Sequence, residues 1–500
     1  MNVTEQTLAL ITQALTNPSP ELVKAFTTAL GGAGATQGLK AYDLEAPAKT
    51  LYPVLTPLRN KIPRLGGGIG IQANWKAITA INTAGLSAGA GEGRRGGIVT
   101  TAVADYLAAY RTLVLDDYVT FQAEAAGKGF MDIPATAVAK LLEAMMIQEE
   151  FIILGGNGAA VALGITPTPI LADVGTGGTF KANTIYHVYC VALTLEGYRN
   201  ASIAGGVPGQ VSRLNGDGTT ELYGGGSARK SAAADITTAN DGNNTHSIRA
   251  SVTAVTGAVA YAWFWGEDGQ ALKLGAITTI NSMLLTNPVG AGTQVIGDLP
   301  AADNSQNALI FDGLLYQVWK SGSNAYVKTM ATGTPGAGTP LTASGKGGIS
   351  EFDEALEHLW AVYKIEPTMI WVAGQEKQNL AAKVLTGATG SALSFTIDTR
   401  QGAVLGGVNI TGYIHPITGK EIPVAVHPDL PPGTVMFECM NLPYPLANVP
   451  NVVQIRTRWE YTQITWPLQT LRRDFSVTVD EVLQNYFPPG WGVITNIANG

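Results

Sequence analysis

The residues best placed to do chemistry lie in one glycine-rich run. Gly91, Gly93 and Gly96, with Glu92, Arg94 and Arg95 among them, match G-x-G-x-x-G, and Asp116 stands where a ribose-binding acid is expected. A dinucleotide site also needs a buried apolar strand before the first glycine and a helix after the last, so that the pyrophosphate meets a helix N-terminus. Here residues 84–90 are small, and Ile98, Val99, Thr100 and Thr101 favour a strand. In a chain with 60 glycines, chance explains the match better.

Gly85, Ser87 and Gly89 match the G-x-S-x-G nucleophile elbow, whose serine must sit on a strand-to-helix turn. No helix pattern follows, and nothing pairs His246, His358, His415 or His427 with Ser87. No histidine lies three or four residues from another, and Cys190 and Cys439 are remote, so metal signatures are missing. Turn chemistry explains the polar stretches 215–221 and 240–244 better than a calcium loop does. Lys346 and Lys420 follow glycine without the rest of a Walker A loop. Glu149 and Glu150, like Asp116 and Asp117, are sequence neighbours whose side chains point apart, unlike the facing carboxylates of a glycosidase. The expectation is a protein that is not an enzyme and holds no cofactor or metal.

Arg456, Arg458, Arg472 and Arg473, with Trp459, Tyr461 and Trp466, form a basic and aromatic cluster near the C-terminus. Stacked bases on these aromatics would make a nucleic-acid platform. Alternating strand packing with solvated arginines is the favoured reading, because Pro467 and Asp474 interrupt the pattern.

The elements that carry these residues begin with a two-stranded arm. Residues 66–118 contain two alternating segments, GIGIQANWKAITAI and GGIVTTAVADYLAAYRTLVLDDY, joined by a tip rich in Gly and Ala. Such a hairpin has too little apolar surface to stand alone in water, and another copy of the chain is the expected support. Apolar spacing in 4–31 predicts two short helices, and 31–65 reads as an extended arm. Pro134 opens the longest helix and Gly155 with Gly156 closes it. Residues 166–297 show short alternating strands and turn pairs, which predict a discrete all-β sandwich inserted into the chain. Its strand order resembles fibronectin type III or immunoglobulin-like modules. Further on, ISEFDEALEHLWAVYKI reads as a helix capped by Ser350, TMIWVAG as a buried strand and QEKQNLAAKVL as a helix. Hairpins follow, one turning at Thr418 and Gly419, and then a long β tail.

Composition sets the limits. A chain of 500 residues predicts two or three domains, and its net charge of -7 argues against a general nucleic-acid surface. Two cysteines are too few to staple it, which fits a reducing compartment such as a bacterial cytoplasm. The opening NVTEQTLALITQAL lacks signal-peptide features, and no apolar run is long enough to span a membrane.

Taken in order, GGGIGIQANWKAI with GEGRRGGIVTTAVADYLAAY, PATAVAKLLEAMMIQEEFIILGG, GYIHPITGKEIPVAVHPDLPPGTVMF and RWEYTQITWPLQTLRRDFSVTVDEVLQNYFPPGWGVITNI resemble the major capsid protein of tailed bacteriophages. This Hong Kong type of capsid fold is shared by encapsulins, and the resemblance covers about 30–165 and 300–500. It implies an α+β fold divided into an N-terminal arm (1–65), an E-loop (66–118) and a P-domain spine helix (119–165). An immunoglobulin-like insertion (166–297), an A-domain with connecting strands (298–440) and P-domain closing strands (441–500) complete it. The implied function is self-assembly through pentamers and hexamers into an icosahedral head around double-stranded DNA, in the bacterial host cytoplasm, with scaffolding, portal and cement proteins as partners. Trp75, Lys76, Arg94, Arg95, Tyr106 and Arg111 are the implied inter-subunit residues, and Arg456, Arg458, Arg472 and Arg473 would face the DNA. Some relatives cross-link an E-loop Lys to a neighbour's Asn. Lys76 lies on this loop, but no Asn or Glu matches the rest of that motif, and the chemistry is not carried over. An encapsulin-like compartment and a secreted carbohydrate-active protein are the alternatives.

Overall fold

In the computed structural model, residues 48–49, 51–82, 88–345, 347–387, 410–468 and 470–499 are described. The helices expected in 4–31, the arm up to residue 47, Ser87 and Lys346 lie outside them. The chain divides into two units, one formed by Met1–Tyr52 with Gln122–Thr136 and the other by Pro53–Phe121 with Ala137–Gly500.

The first part of the chain holds α1 (Pro57–Lys61), β1 (Arg64–Leu65), β2 (Gln72–Asn82), β3 (Thr100–Ala109), β4 (Arg111–Thr120), α2 (Phe121–Gly127) and α3 (Ile133–Gly155). Next come β5 (Ile170–Val174), β6 (Ile185–Leu193), α4 (Leu195–Asn200), β7 (Gln210–Leu214), β8 (Thr220–Gly224), β9 (Ala234–Thr237), β10 (Ser247–Ser251), β11 (Ala260–Glu267), β12 (Lys273–Thr278) and β13 (Ser282–Leu285). The chain continues with α5 (Leu314–Trp319), β14 (Tyr326–Thr329), α6 (Ser350–Tyr363), β15 (Met369–Val372) and α7 (Gly374–Gly387). It ends with β16 (Gly412–Ile414), β17 (Glu421–Val426), β18 (Val435–Glu438), β19 (Val453–Thr465), β20 (Arg472–Asn485) and β21 (Gly492–Thr495). The class is mixed α and β.

In the smaller unit the Asp132 carboxylate accepts from the Ala135 N–H (3.1 Å), capping the start of α3. Within the larger unit α3 becomes buried toward its end, from Glu149 to Gly155. The Gly155–Gly156 stop is set by crowding, since a Cβ on Gly155 would overlap Leu195 and one on Gly156 would lie 2.5 Å from the Phe311 carbonyl.

β2 and β3 pair antiparallel from Gln72↔Ala109 to Asn82↔Thr100. The second arm segment does not continue to Tyr118. It breaks at buried Tyr110, and β4 joins a separate sheet ordered β1-β19-β20-β4. The arm expected over 31–65 is also packed at its end, where Leu58 and Ile62 are buried and β1 pairs with β19.

Residues 166–297 form two antiparallel sheets, β13-β10-β5 and β12-β11-β6-β9, over one core that includes Phe180, Tyr186, Ile248 and Trp263. β11 is buried on both faces. Tyr261, Trp263 and Trp265 enter that core, while Ala260, Ala262 and Phe264 enter a second with Val207, Leu274 and Leu299. This accounts for a continuous apolar run instead of an alternating one. Between β6 and β9 the chain also forms the antiparallel β7–β8 hairpin. The sandwich is hydrogen-bonded to the rest of its unit. Asn281 and Asn496, both buried, exchange hydrogen bonds (Asn281 N–H to Oδ1 2.7 Å; Asn496 Nδ2 to Oδ1 3.0 Å), and Tyr316 donates to the Gly257 carbonyl (3.0 Å).

A mixed sheet ordered β14-β21-β18-β15-β17-β16 packs against Phe352, Leu356 and Leu359 of α6. Ser350 is the first helical residue, not the cap. Ile349 takes the cap position, and its N–H donates to the Tyr413 hydroxyl (2.8 Å), which in turn donates to Asp353 (2.6 Å). The Thr418–Gly419 turn lies between β16 and β17, with Gly419 at φ 72°. The last strand, β21, was expected among the closing strands with β20, but it inserts between β14 and β18.

Candidate functional site

The arm is seated at one end. Trp75 stacks on its cross-strand partner Tyr106 (centroids 5.7 Å) and meets Tyr486 edge-on (5.6 Å). Gly68 N–H donates to the Thr457 carbonyl (2.9 Å), and Arg458 donates to the Gly70 carbonyl (2.7 Å) with its guanidinium over the Tyr110 ring (5.4 Å). Gly68 leaves no room for a side chain, because a Cβ would overlap the Tyr110 hydroxyl and lie 3.0 Å from the Thr457 carbonyl.

Past this seat the arm is bare. Ile78, Val103 and Leu107 share the face opposite Trp75 and Tyr106, and they are 71%, 56% and 61% exposed. Ile81 and Ile98 are exposed as well. Arg94 and Arg95 stand exposed at the tip, where Arg94 N–H closes a turn on the Gly91 carbonyl (3.0 Å) and a strand follows instead of a helix. Exposed Lys76 faces Asp105 across the hairpin at 3.5 Å. Arg111 lies off the arm, at the start of β4 opposite Glu481.

Under the seat lies a buried ionic cluster that joins α1 and β1 to the remainder of the unit. Glu149 of α3 receives Arg59 (2.7 Å), Arg64 and the Tyr461 hydroxyl, and Arg64 also reaches Glu481 of β20 (2.9 Å). Both guanidinium groups cover the Tyr461 ring, at 5.4 and 5.0 Å. Glu150 points away from Glu149, as neighbours on a helix must. It accepts the N–H groups of Leu58 (2.9 Å) and Arg59 (2.6 Å) and pairs with buried His427 (2.8 Å). The Asp429 N–H donates to His427 Nδ1 (3.2 Å), so Nε2 carries the hydrogen toward Glu150. Lys61 pairs with Glu438, which also accepts from Trp371 Nε1 (2.5 Å) and Thr368 (3.0 Å). Burial pushes the Glu481 carboxyl up while Arg64 opposes it, and burial lowers Arg59 while Glu481 and Glu150 oppose that. Desolvation offsets much of what such a cluster gains, whereas removing one partner strands a buried charge. Sequence reading singled out Glu149 and Glu150 but missed Arg59, Arg64, Glu481 and His427 as partners. Two acids inside the apolar run MMIQEEFIIL were the available signal, since buried charges have to be paired.

The C-terminal arginines are engaged rather than simply solvated. Arg458 pairs with Asp480, Arg472 pairs with Asp474 (2.8 Å) and covers Tyr118 (4.6 Å), and Arg473 lies over Phe121 (5.6 Å). Arg456 is half-buried, in register with Leu65 and Val482. Trp459 is exposed, whereas the Tyr461 hydroxyl belongs to the ionic cluster. Among the described residues no helix is long and apolar enough to cross a membrane.

No protein-family model matches the chain, and no curated protein sequence does. Solved structures similar to it include a cyanophage A-1(L) capsid asymmetric unit, 13% identical over 92% of this chain and 97% of that one, with a TM-score of 0.41. The capsid of a native GTA particle is 9% identical over 94% and 100%, TM-score 0.41. The holo-SrpI encapsulin complex from Synechococcus elongatus PCC 7942 is 10% identical over 91% and 93%, TM-score 0.35. At such identities and scores the functional reading has to come from the chain's own geometry.

Proposed function

We propose that the chain is a shell-forming capsid protein whose copies assemble into pentamers and hexamers of an icosahedral, phage-type head around double-stranded DNA. The observation that carries this reading is the arm, which is held at its base by Trp75, Tyr110 and Gly68 and bears uncovered Leu107 on the opposite face and uncovered Ile78 and Val103 further out. Exposed apolar surface on a projecting hairpin is costly unless another surface covers it. A second copy would do so, and a head-to-tail contact of that kind repeats until curvature closes it. About 800 Å² per partner at each such contact suffices for a specific assembly. The order of sequence segments supports the same reading, with the arm as E-loop, α3 as spine helix and residues 166–297 as an immunoglobulin-like decoration on the outer surface. With Arg458 and Arg472 held by carboxylates, contact with packaged DNA would be non-specific and weak per residue. Scaffolding, portal and cement proteins would be the further partners, and the virion the location.

Deleting residues 85–97 tests the role of the arm. The shortened chain is expected to keep the circular dichroism and melting temperature of the intact chain, yet form no shells. Particles of normal size by electron microscopy would overturn the assignment. Shells that co-purify with a protein cargo and no nucleic acid would instead favour the encapsulin-like alternative.

A further inference from the structure

The sandwich contains a histidine held by carboxylates on both ring nitrogens. His246 is fully buried; its Nδ1 lies 2.9 Å from Asp173 and its Nε2 2.9 Å from Asp241. Asp173 belongs to β5, and Asp241 to the connection between β9 and β10. A neutral imidazole donates from one nitrogen only, so satisfying both carboxylates requires the imidazolium form. The connection is tied to the same two acids, since Ala239 N–H donates to Asp173 (2.8 Å) and Asn243 N–H to Asp241 (2.9 Å).

Among the described residues Asp241 and Asp173 are the charged groups that act on His246, with Lys181 and Tyr186 on the segment that follows its bridge partner Phe180. Residues 175–180 pack on it through backbone, with Gly178 N–H bonded to the Thr245 carbonyl (3.0 Å) and Phe180 N–H to the His246 carbonyl (3.1 Å). β13, on the other side of β10, contributes Ser, Met and Leu. A second histidine in the sandwich repeats the arrangement: His187 lies between Asp235 (2.5 Å) and Asp268 (3.0 Å), with the Lys181–Glu267 pair nearby, but both of its acids are largely exposed.

We propose that His246 is an alkaline-release clamp: protonated, it closes the 239–245 connection onto β5, and loss of its proton frees that connection while the sandwich core stays folded. Above the transition a bare, buried ring nitrogen would face one carboxylate, and the two acids, Asp173 partly buried and Asp241 open to solvent on one side, would flank the ring without a cation between them. Asp241 and then Asp173 raise the histidine's affinity for its proton, against burial, which lowers it. Asp241 itself is held down to about 2 by the Asn243 N–H and then by the His246 ring, so acidification does not open the clamp until well below neutral. A histidine raised in the closed form contributes its full stabilisation below the ordinary value of 6.5 and loses it as pH rises through the closed-form value.

Hydrogen exchange with mass spectrometry on the full chain between pH 6 and 9, corrected for intrinsic exchange, reads the opening directly. Amides 239–245 are expected to lose protection about tenfold per pH unit from 6.5 upward until the closed-form histidine has titrated, while β6 and β11 stay protected. His246→Gln should abolish the dependence, and Asp241→Asn, which leaves the ring one carboxylate, should move it to lower pH. Protection of 239–245 that does not change with pH, or an Asp241→Asn profile that superimposes on the unmodified chain, would overturn the clamp.

Discussion

Glu196 is a carboxyl that burial pushes up to about 7, although the Asn307 amide (3.0 Å) and Arg199 pull the other way. The folded state therefore holds its proton more tightly than the unfolded chain, and stability falls as pH rises from the ordinary 4.5 to about 7. Glu196→Gln keeps an acceptor for Asn307 and removes that loss. It should match the parent at about pH 4 and gain roughly 1–3 kcal/mol at about pH 8, as read by thermal melts at the two values. Arg64 tests the ionic cluster. Arg64→Met leaves Glu149 and Glu481 short of a cation and should cost about 3–5 kcal/mol in urea unfolding, with Arg64→Lys recovering part of it. A loss under about 1 kcal/mol would mean that water already screens the pair. Little of this was legible in the sequence, because Arg64 and Glu481 are 417 residues apart and no local period links them.

At the level of elements, the arm depends on one close approach. Gly68→Val would drive a side chain into Tyr110 and Thr457, a local strain of about 1–3 kcal/mol. The hairpin amides of β2 and β3 should then exchange faster while those of β20 hold; unchanged hairpin protection would show that the seat lies elsewhere. The hairpin, the bounds of α3, the helix α6 and the short strands of the sandwich were legible from periodicity, from turn pairs and from Pro134, Gly155 and Gly156, although β11 is buried on both faces and does not alternate. The break at Tyr110 was not, because the strand pattern runs through it and only the β19–β20 sheet pulls β4 away. β21 was misplaced for a similar reason: a four-residue strand with only Val493 and Ile494 as apolar side chains suits either sheet, and tertiary pairing with β14 and β18 decides. The cap of α6 falls one residue earlier than Ser350, on Ile349, whose N–H is held by the distant Tyr413 hydroxyl, a contact no local pattern announces.

At the level of the whole molecule, the larger unit combines a docked sandwich, a mixed sheet with its helices and an arm projecting from a buried ionic seat. The sequence carries no mark of the docking, since Asn281 and Asn496 are ordinary polar residues there and become a buried amide pair only in the fold. Beyond its base the arm leaves Ile78, Ile81 and Val103 uncovered by the described residues of its own chain, and a shell would supply the cover from each neighbour. Light scattering on the size-exclusion peak of the full-length chain, followed by negative-stain microscopy of the same fraction, tests this most directly. Closed particles of uniform diameter are expected. A monodisperse monomer that stays monomeric at micromolar concentration would contradict the proposed shell.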